Sequence, residues 1–168
     1  MKNLLLILWS CGLSLAAFAQ SVSEPIDLEI PAGTIHGTLL LPQAATSVPV
    51  VLMIAGSGPT DRDGNTVGLL GKNDSLLLLA QALAEHGIAS LRYDKRGIAA
   101  SREAGPSDAD LRFENYAEDA SAWLDLLAQD SRFSTRYLLG HSEGSLLGML
   151  ALRTHPEVAF ISIAGPAD

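Results

Sequence analysis

The sequence predicts an α/β protein built on a mostly parallel sheet with helices on both faces, and three observations carry that expectation. Short strand-like apolar runs alternate with helical ones from residue 50 to the end of the chain. That is the pattern of strands covered on both faces and joined by crossover helices. Two strand-like runs separated by a turn precede them and put an antiparallel hairpin at the leading edge of the sheet. Hydrophobic residues make up 48% of the 168 and charged residues 18%, a composition for one folded domain with a sizeable core.

Ile26 to Ile30 and Thr34 to Leu41, with Pro31-Ala32-Gly33 between them, form the hairpin. Val50 to Ile54 is the first buried strand, with Pro49 just ahead of it, where a missing N–H is tolerated. Asp74 stands where it can cap a helix running to about Glu85, and His86-Gly87 ends that helix. Ile88 to Tyr93 is the next strand, followed by a polar stretch from Asp94 to Arg112. Tyr116, Ala120, Trp123 and Leu127 then fall on one apolar helical stripe. Tyr137 to Gly140 reads as a strand, Glu143 to about Thr154 as a helix, and Val158 to Ile163 as a last strand. No internal repeat, low-complexity tract or long linker divides the chain.

Residues 1–19 read as a signal peptide, leaving 20–168 as the folded part. Lys2 gives the positive start, Leu4 to Leu8 and Leu13 to Phe18 the apolar stretch, and Ala17-Phe18-Ala19 a small-x-small cleavage site. Cleavage would make Gln20 the first mature residue of a periplasmic or secreted protein. The rival reading is an uncleaved membrane anchor, but Leu4 to Ala19 falls short of the roughly 20 residues a spanning helix wants. Cys11, the one cysteine, lies in this segment, so a cleaved chain forms no disulfide. The formal net charge is −8 with no Lys/Arg run, which argues against a nucleic-acid partner.

The strongest motif is Gly140-His141-Ser142-Glu143-Gly144, between a buried strand and a helix. A G-x-S-x-G sequence in that context is a nucleophile elbow: a sharp turn lifts the serine hydroxyl above the sheet, and the flanking glycines allow close backbone approach. The alternative is a tight strand-to-helix turn with no chemistry. A serine hydroxyl needs a base to take its proton, and the tetrahedral intermediate needs donors for its oxyanion. The backbone N–H of Glu143 is one expected donor. The other is the N–H of Ser57, in the loop Ala55-Gly56-Ser57-Gly58-Pro59 after the first buried strand.

Other chemistries fit less well. Gly56-Ser57-Gly58 begins a dinucleotide-type pattern, but Asp61 occupies the third glycine position and Pro59 delays any helix. Asp61, Asp63 and Asn65 begin a calcium-loop pattern that fails at Thr66 and at Lys72. Local hydrogen bonds and charge pairs within Asp61, Arg62 and Asp63 explain that run better. There is no Walker-type phosphate loop, so neither cofactor nor metal is expected.

Three segments in order, Met53 to Asn65, Leu91 to Ser101 and Gly140 to Ser145, resemble the α/β-hydrolases of the serine aminopeptidase-like and dienelactone-hydrolase-like branch. The resemblance implies the N-terminal portion of an α/β-hydrolase fold. It makes Asp94-Lys95-Arg96-Gly97 a largely structural turn beside the active site, with Ala99 where relatives often carry glycine and Ala55 where many carry histidine. The family's triad runs serine, then Asp or Glu, then histidine. After Ser142 the only histidine is His155, toward the end of the next helix, and the only acids are Glu143, Glu157 and Asp168. His141 lies within the elbow with its ring expected to point away from the hydroxyl; His36 and His86 precede the serine on a strand and a helix end. The chain is therefore expected to be truncated before its acid and its base. The resemblance implies hydrolysis of a small-molecule carboxylic ester or, second, of a peptide; a non-catalytic fragment is the remaining reading.

Overall fold

A computed structural model describes residues 21–43, 47–105 and 111–166. The signal segment, its cleavage point at Ala19, Cys11 and the acid Asp168 lie outside the described residues. The strands are β1 (Val22–Ile30), β2 (Gly33–Leu41), β3 (Val48–Ile54), β4 (Ala89–Tyr93), β5 (Phe133–His141) and β6 (Ala159–Ile163). The helices are α1 (Ser75–Glu85), α2 (Phe113–Ala128) and α3 (Glu143–Ala151). The strands form one sheet in the order β1-β2-β4-β3-β5-β6. β1 and β2 are antiparallel, β2 meets β4 antiparallel, and the remaining pairs are parallel. This is the α/β-hydrolase arrangement, with the hairpin at one edge as the alternation predicts.

The two-residue period of a strand sends neighbouring side chains to opposite faces, and two separate cores result. On one face Leu39, Leu52, Leu91 and Leu138 pack with Trp123 and Leu127 of α2 and Leu147 of α3. On the other, Leu40, Val51, Met53 and Leu139 meet Ala80 and Ala84 of α1. Three adjacent residues of β3 thus serve both layers, which is why its run is apolar without interruption. β6 is the exception. It lies at one end of the described sheet, and Ile161 and Ile163 are exposed on it.

Several boundaries differ from those predicted, each for an identifiable reason. Pro49 lies inside β3, not ahead of it; Val48 pairs with Phe133 and Pro49 with Thr135, so the register slips by a residue where the proline has no N–H to give. β5 begins at Phe133, because Ser134 and Thr135 extend it past the cover of the helices and so stay polar. α3 gives way to a 3₁₀ turn at Leu152–Thr154. Asp74 precedes α1 but does not cap it with its carboxylate, which instead accepts from Asn65 Nδ2 at 2.7 Å. The first N–H groups of the helix go to Asn73 Oδ1 (2.9 Å, from Ser75) and to the Asp63 carbonyl (3.0 and 3.3 Å, from Leu76 and Leu77). Ala99 has φ 45°, a left-handed conformation costing a side chain roughly 1–2 kcal/mol, which accounts for glycine at this place in the family pattern.

The turn after β4 is tied to α2 by a buried ion pair. Arg96 Nε donates to Asp119 Oδ2 at 2.7 Å, Arg96 Nη2 donates to Asp119 Oδ1, and both side chains are buried. Removing one member strands the other charge out of water. Asp119→Ala is therefore expected to lower the unfolding free energy by about 3–5 kcal/mol in a urea titration; a loss below 1 kcal/mol would contradict a buried pair.

Candidate functional site

Ser142 joins the end of β5 to the start of α3 with φ 53° and ψ −120°. An L-residue does not hold such a backbone conformation without support, which typically means about 1–3 kcal/mol of strain. The support comes from close packing on all sides. A Cβ at Gly140 would overlap the backbone of Gly144 and Ser145, and one at Gly144 would overlap the carbonyls of Ile54 and Ala55 at the end of β3. The Ser142 N–H donates to the Ile163 carbonyl of β6 at 2.9 Å, and the Ser142 carbonyl accepts from the Ser145 N–H at 2.9 Å. Ser162 Oγ donates to Ser145 Oγ, which donates to the Gly140 carbonyl, both at 2.9 Å. The elbow is thus pinned from β3 on one side and β6 on the other.

The loop after β3 reaches the same point. A Cβ on Gly56 would stand 3.1 Å from His141 Nδ1 and 3.4 Å from Ser142 Cβ, so this buried glycine lets the loop lie directly against the elbow. Ser57 follows it at the surface. Among the described residues no group accepts the backbone N–H of Ser57 or that of Glu143, which opens α3. The structure therefore brings Ser142 and Gly56 together, with Ser57 next along the loop, Glu143 next along the helix, and the N–H groups of both without an acceptor among the described residues. A helix N-terminus adds its own partial positive charge there.

A network of buried charge holds the loop in place. Asp94 accepts from the Arg62 N–H (2.7 Å), from Arg62 Nη2 (2.7 Å) and from the Ala100 N–H (3.1 Å). Arg62 Nη1 also donates to Thr38 Oγ1 at 3.0 Å, and Asp63 receives Arg92 from within β4. Only Asp61 works locally, accepting from the N–H groups of Asp63 (2.9 Å) and Asn65 (2.8 Å). Arg62 and Asp63 bind partners on the sheet rather than each other, which corrects the expectation of a purely local set of pairs.

One residue of the site enters the motif reading only as part of a structural turn. Lys95 is buried, its Nζ donates to the Gly56 carbonyl at 2.6 Å, and it lies 3.3 Å from Glu143 Oε1. Burial lowers its pKa below the ordinary lysine range, and Glu143 opposes that shift. A lysine next to the end of a buried strand, between an acid and an arginine, was the only available hint.

None of the four histidines makes a hydrogen bond to Ser142 among the described residues. His36 pairs with Asp27 at 2.7 Å, His86 Nδ1 with the Ala82 carbonyl at 2.8 Å, and His155 with Ser121 Oγ at 2.8 Å. The His141 ring faces Gly56. No group of three or more His, Cys, Asp or Glu among the described residues is arranged to hold a metal ion. Because the Ile54 and Ala55 carbonyls leave no room beside α3, Gly144→Ala is expected to cost about 1–3 kcal/mol. An unchanged thermal midpoint would contradict that close approach.

Comparison with known proteins follows the same geometry. A family model described as Hydrolase_4, serine aminopeptidase S33, matches residues 68–167, more than half of the chain. Esterase EstD of Thermotoga maritima is 29% identical over 139 residues, a match covering 83% of this chain and 32% of that protein. An α/β serine hydrolase without a lid from Xanthomonas campestris superposes with TM-score 0.66 at 25% identity, covering 86% of this chain and 62% of the other. The α/β hydrolase GrgF from Penicillium sp. sh18 gives TM-score 0.69 at 24% identity, covering 86% and 46%. Dienelactone hydrolase from Anabaena variabilis gives 0.66 at 21% identity, covering 87% and 64%. The chain thus spans about a third of the curated relative and less than two thirds of each of these solved structures. Fold, elbow context and family match converge: this chain is an α/β hydrolase of the serine aminopeptidase S33 family.

Proposed function

We propose that the chain carries the nucleophile and oxyanion hole of a serine hydrolase that acts on carboxylic esters. The observation that carries this reading is the backbone of Ser142, a non-glycine residue at φ 53° backed by three close glycines, Gly56, Gly140 and Gly144. In the reaction, Ser142 Oγ attacks the ester carbonyl carbon. The carbonyl π electrons move onto its oxygen, and the resulting oxyanion accepts from the N–H groups of Ser57 and Glu143. Collapse of the intermediate re-forms the C=O and breaks the ester C–O bond; the departing oxygen takes up the proton given up by Ser142 and leaves as the alcohol, and water then hydrolyses the acyl-serine. The hydroxyl proton needs an acceptor, and no described residue supplies one.

The 29% identity to a protein named as an esterase favours an ester over an amide. The family's description as a serine aminopeptidase favours peptide hydrolysis as the second reading. A fluorophosphonate probe tests the nucleophile. Oxyanion holes retain about 10³–10⁴-fold acceleration over water when a triad member is absent, so slow but specific modification of the chain is expected. Ser142→Ala should abolish it, and equal labelling of the two proteins would remove Ser142 from its role.

We further propose that residues 1–19 direct export and are then removed, which fits the positive start, the short apolar stretch and the small residues at 17 and 19. N-terminal sequencing of the protein recovered after expression in a bacterium should begin at Gln20; a start at Met1 in the exported fraction would reject cleavage.

A further inference from the structure

The turn after β4 sets three consecutive charges side by side, and two of them have plain structural duties. Asp94 holds the loop through Arg62, and Arg96 is paired with Asp119 on α2. Lys95 has no partner of comparable quality. Its one carboxylate contact, Glu143, is 3.3 Å away and half-exposed, although the lysine itself is buried; its other neighbours are a carbonyl and the Tyr116 ring, 5.4 Å from Nζ to centroid. A buried ammonium so poorly neutralised is a net cost to folding. Its value must be sought in what it holds.

What it holds is a single peptide plane. The Gly56 carbonyl that accepts from Lys95 Nζ and the N–H of Ser57 belong to the same trans peptide unit, so they point in opposite directions. Fixing the oxygen on the ammonium side fixes the N–H on the other; Ser57 is exposed, and no described group accepts that N–H. A charge-assisted bond to that oxygen also draws electron density through the amide and makes its N–H a stronger donor. The same ammonium reaches the side chain of Glu143, whose backbone supplies the second N–H.

We propose that Lys95 is a positioning residue for the oxyanion hole: one buried ammonium orients and polarises the Gly56–Ser57 peptide and anchors Glu143, setting both donors from a single point. This rests on the reading of Ser57 and Glu143 given above. It assigns to the lysine of the Asp94–Gly97 turn a task beyond maintaining the loop.

The experiment compares the wild-type chain with Lys95→Met, which keeps the length but removes charge and donors, and with Lys95→Gln, which restores a donor without charge. Amide resonances from ¹⁵N-labelled protein and the rate of fluorophosphonate modification of Ser142 are both followed. In a Met variant with wild-type circular dichroism, the Ser57 and Glu143 amides should shift more than those of β1 and β2, and Ser57 should exchange faster. Modification should slow about 10–100-fold, short of the roughly 10²–10³ lost when a donor is deleted outright, with the Gln variant between. A purely structural lysine would change stability while leaving these amides and the modification rate of the folded fraction in place. A folded Met variant with unmoved Ser57, or with the wild-type rate, overturns the proposal. If neither variant folds, the wild-type Lys95 ammonium decides: it must exchange slowly and contact Gly56 Hα, and exchange as fast as Lys72 overturns the proposal. No modification of the wild type at all would overturn the serine hydrolase reading, and this role with it. A labelled wild type beside an equally fast Met variant overturns this proposal alone.

Discussion

A serine held at φ 53° is the constraint around which this molecule is arranged. The conformation is unfavourable for any side chain, so it exists only while surrounding backbone leaves it no alternative. That requirement propagates outward. Gly140 and Gly144 are needed so that strand, turn and helix can close on themselves, and Gly144 lets α3 rest on the last carbonyls of β3. β3 must therefore lie beside β5, and β6 must follow on the other side so that the Ile163 carbonyl can take the Ser142 N–H. The sheet order and the strained residue are two descriptions of one packing solution.

The second organising element is charge placed where water is scarce. Asp94, Lys95 and Arg96 are adjacent in sequence, all buried, and each faces a different part of the molecule. Asp94 takes the long loop, Lys95 the backbone beneath the candidate oxyanion hole, and Arg96 the helix α2. Three buried charges would ordinarily destabilise a small domain. Here they connect loops that have few apolar side chains of their own, and a hydrophobic substitute could not reach those backbone groups with the same geometry.

Much of this was legible in the sequence because it depends on local pattern. The uninterrupted apolar run at Val50 to Ile54 disclosed a strand with two covered faces, the strand-like run Ile88 to Tyr93 another, and the stripe through Trp123 disclosed which side of α2 is buried. The elbow was readable because its two glycines stand in a fixed five-residue pattern, although Gly144 answers to the carbonyls of Ile54 and Ala55 far away in the chain. What stayed hidden depends on distance. Lys95 meets Gly56 across 39 positions and Arg62 meets Asp94 across 32, and no periodicity encodes such pairs. Asp74 misled for a related reason: its carboxylate is claimed by Asn65 from another turn of the loop, which leaves Asn73 to take the helix N–H. The start of β5 was missed because Ser134 and Thr135 lie beyond the core and have no apolar pattern to show.

The two end strands of the described sheet differ sharply in composition. β1 carries Pro25, Glu24, Asp27 and Glu29, a combination that discourages a neighbouring chain from adding a strand. β6 reads Ala159-Phe160-Ile161-Ser162-Ile163, without charge or proline and with two isoleucines exposed. The strand that steadies Ser142 through the Ile163 carbonyl therefore carries no charge of its own. A charge introduced on β6 would sit in the strand whose carbonyl holds the elbow, whereas the same change on β1 would leave the elbow alone.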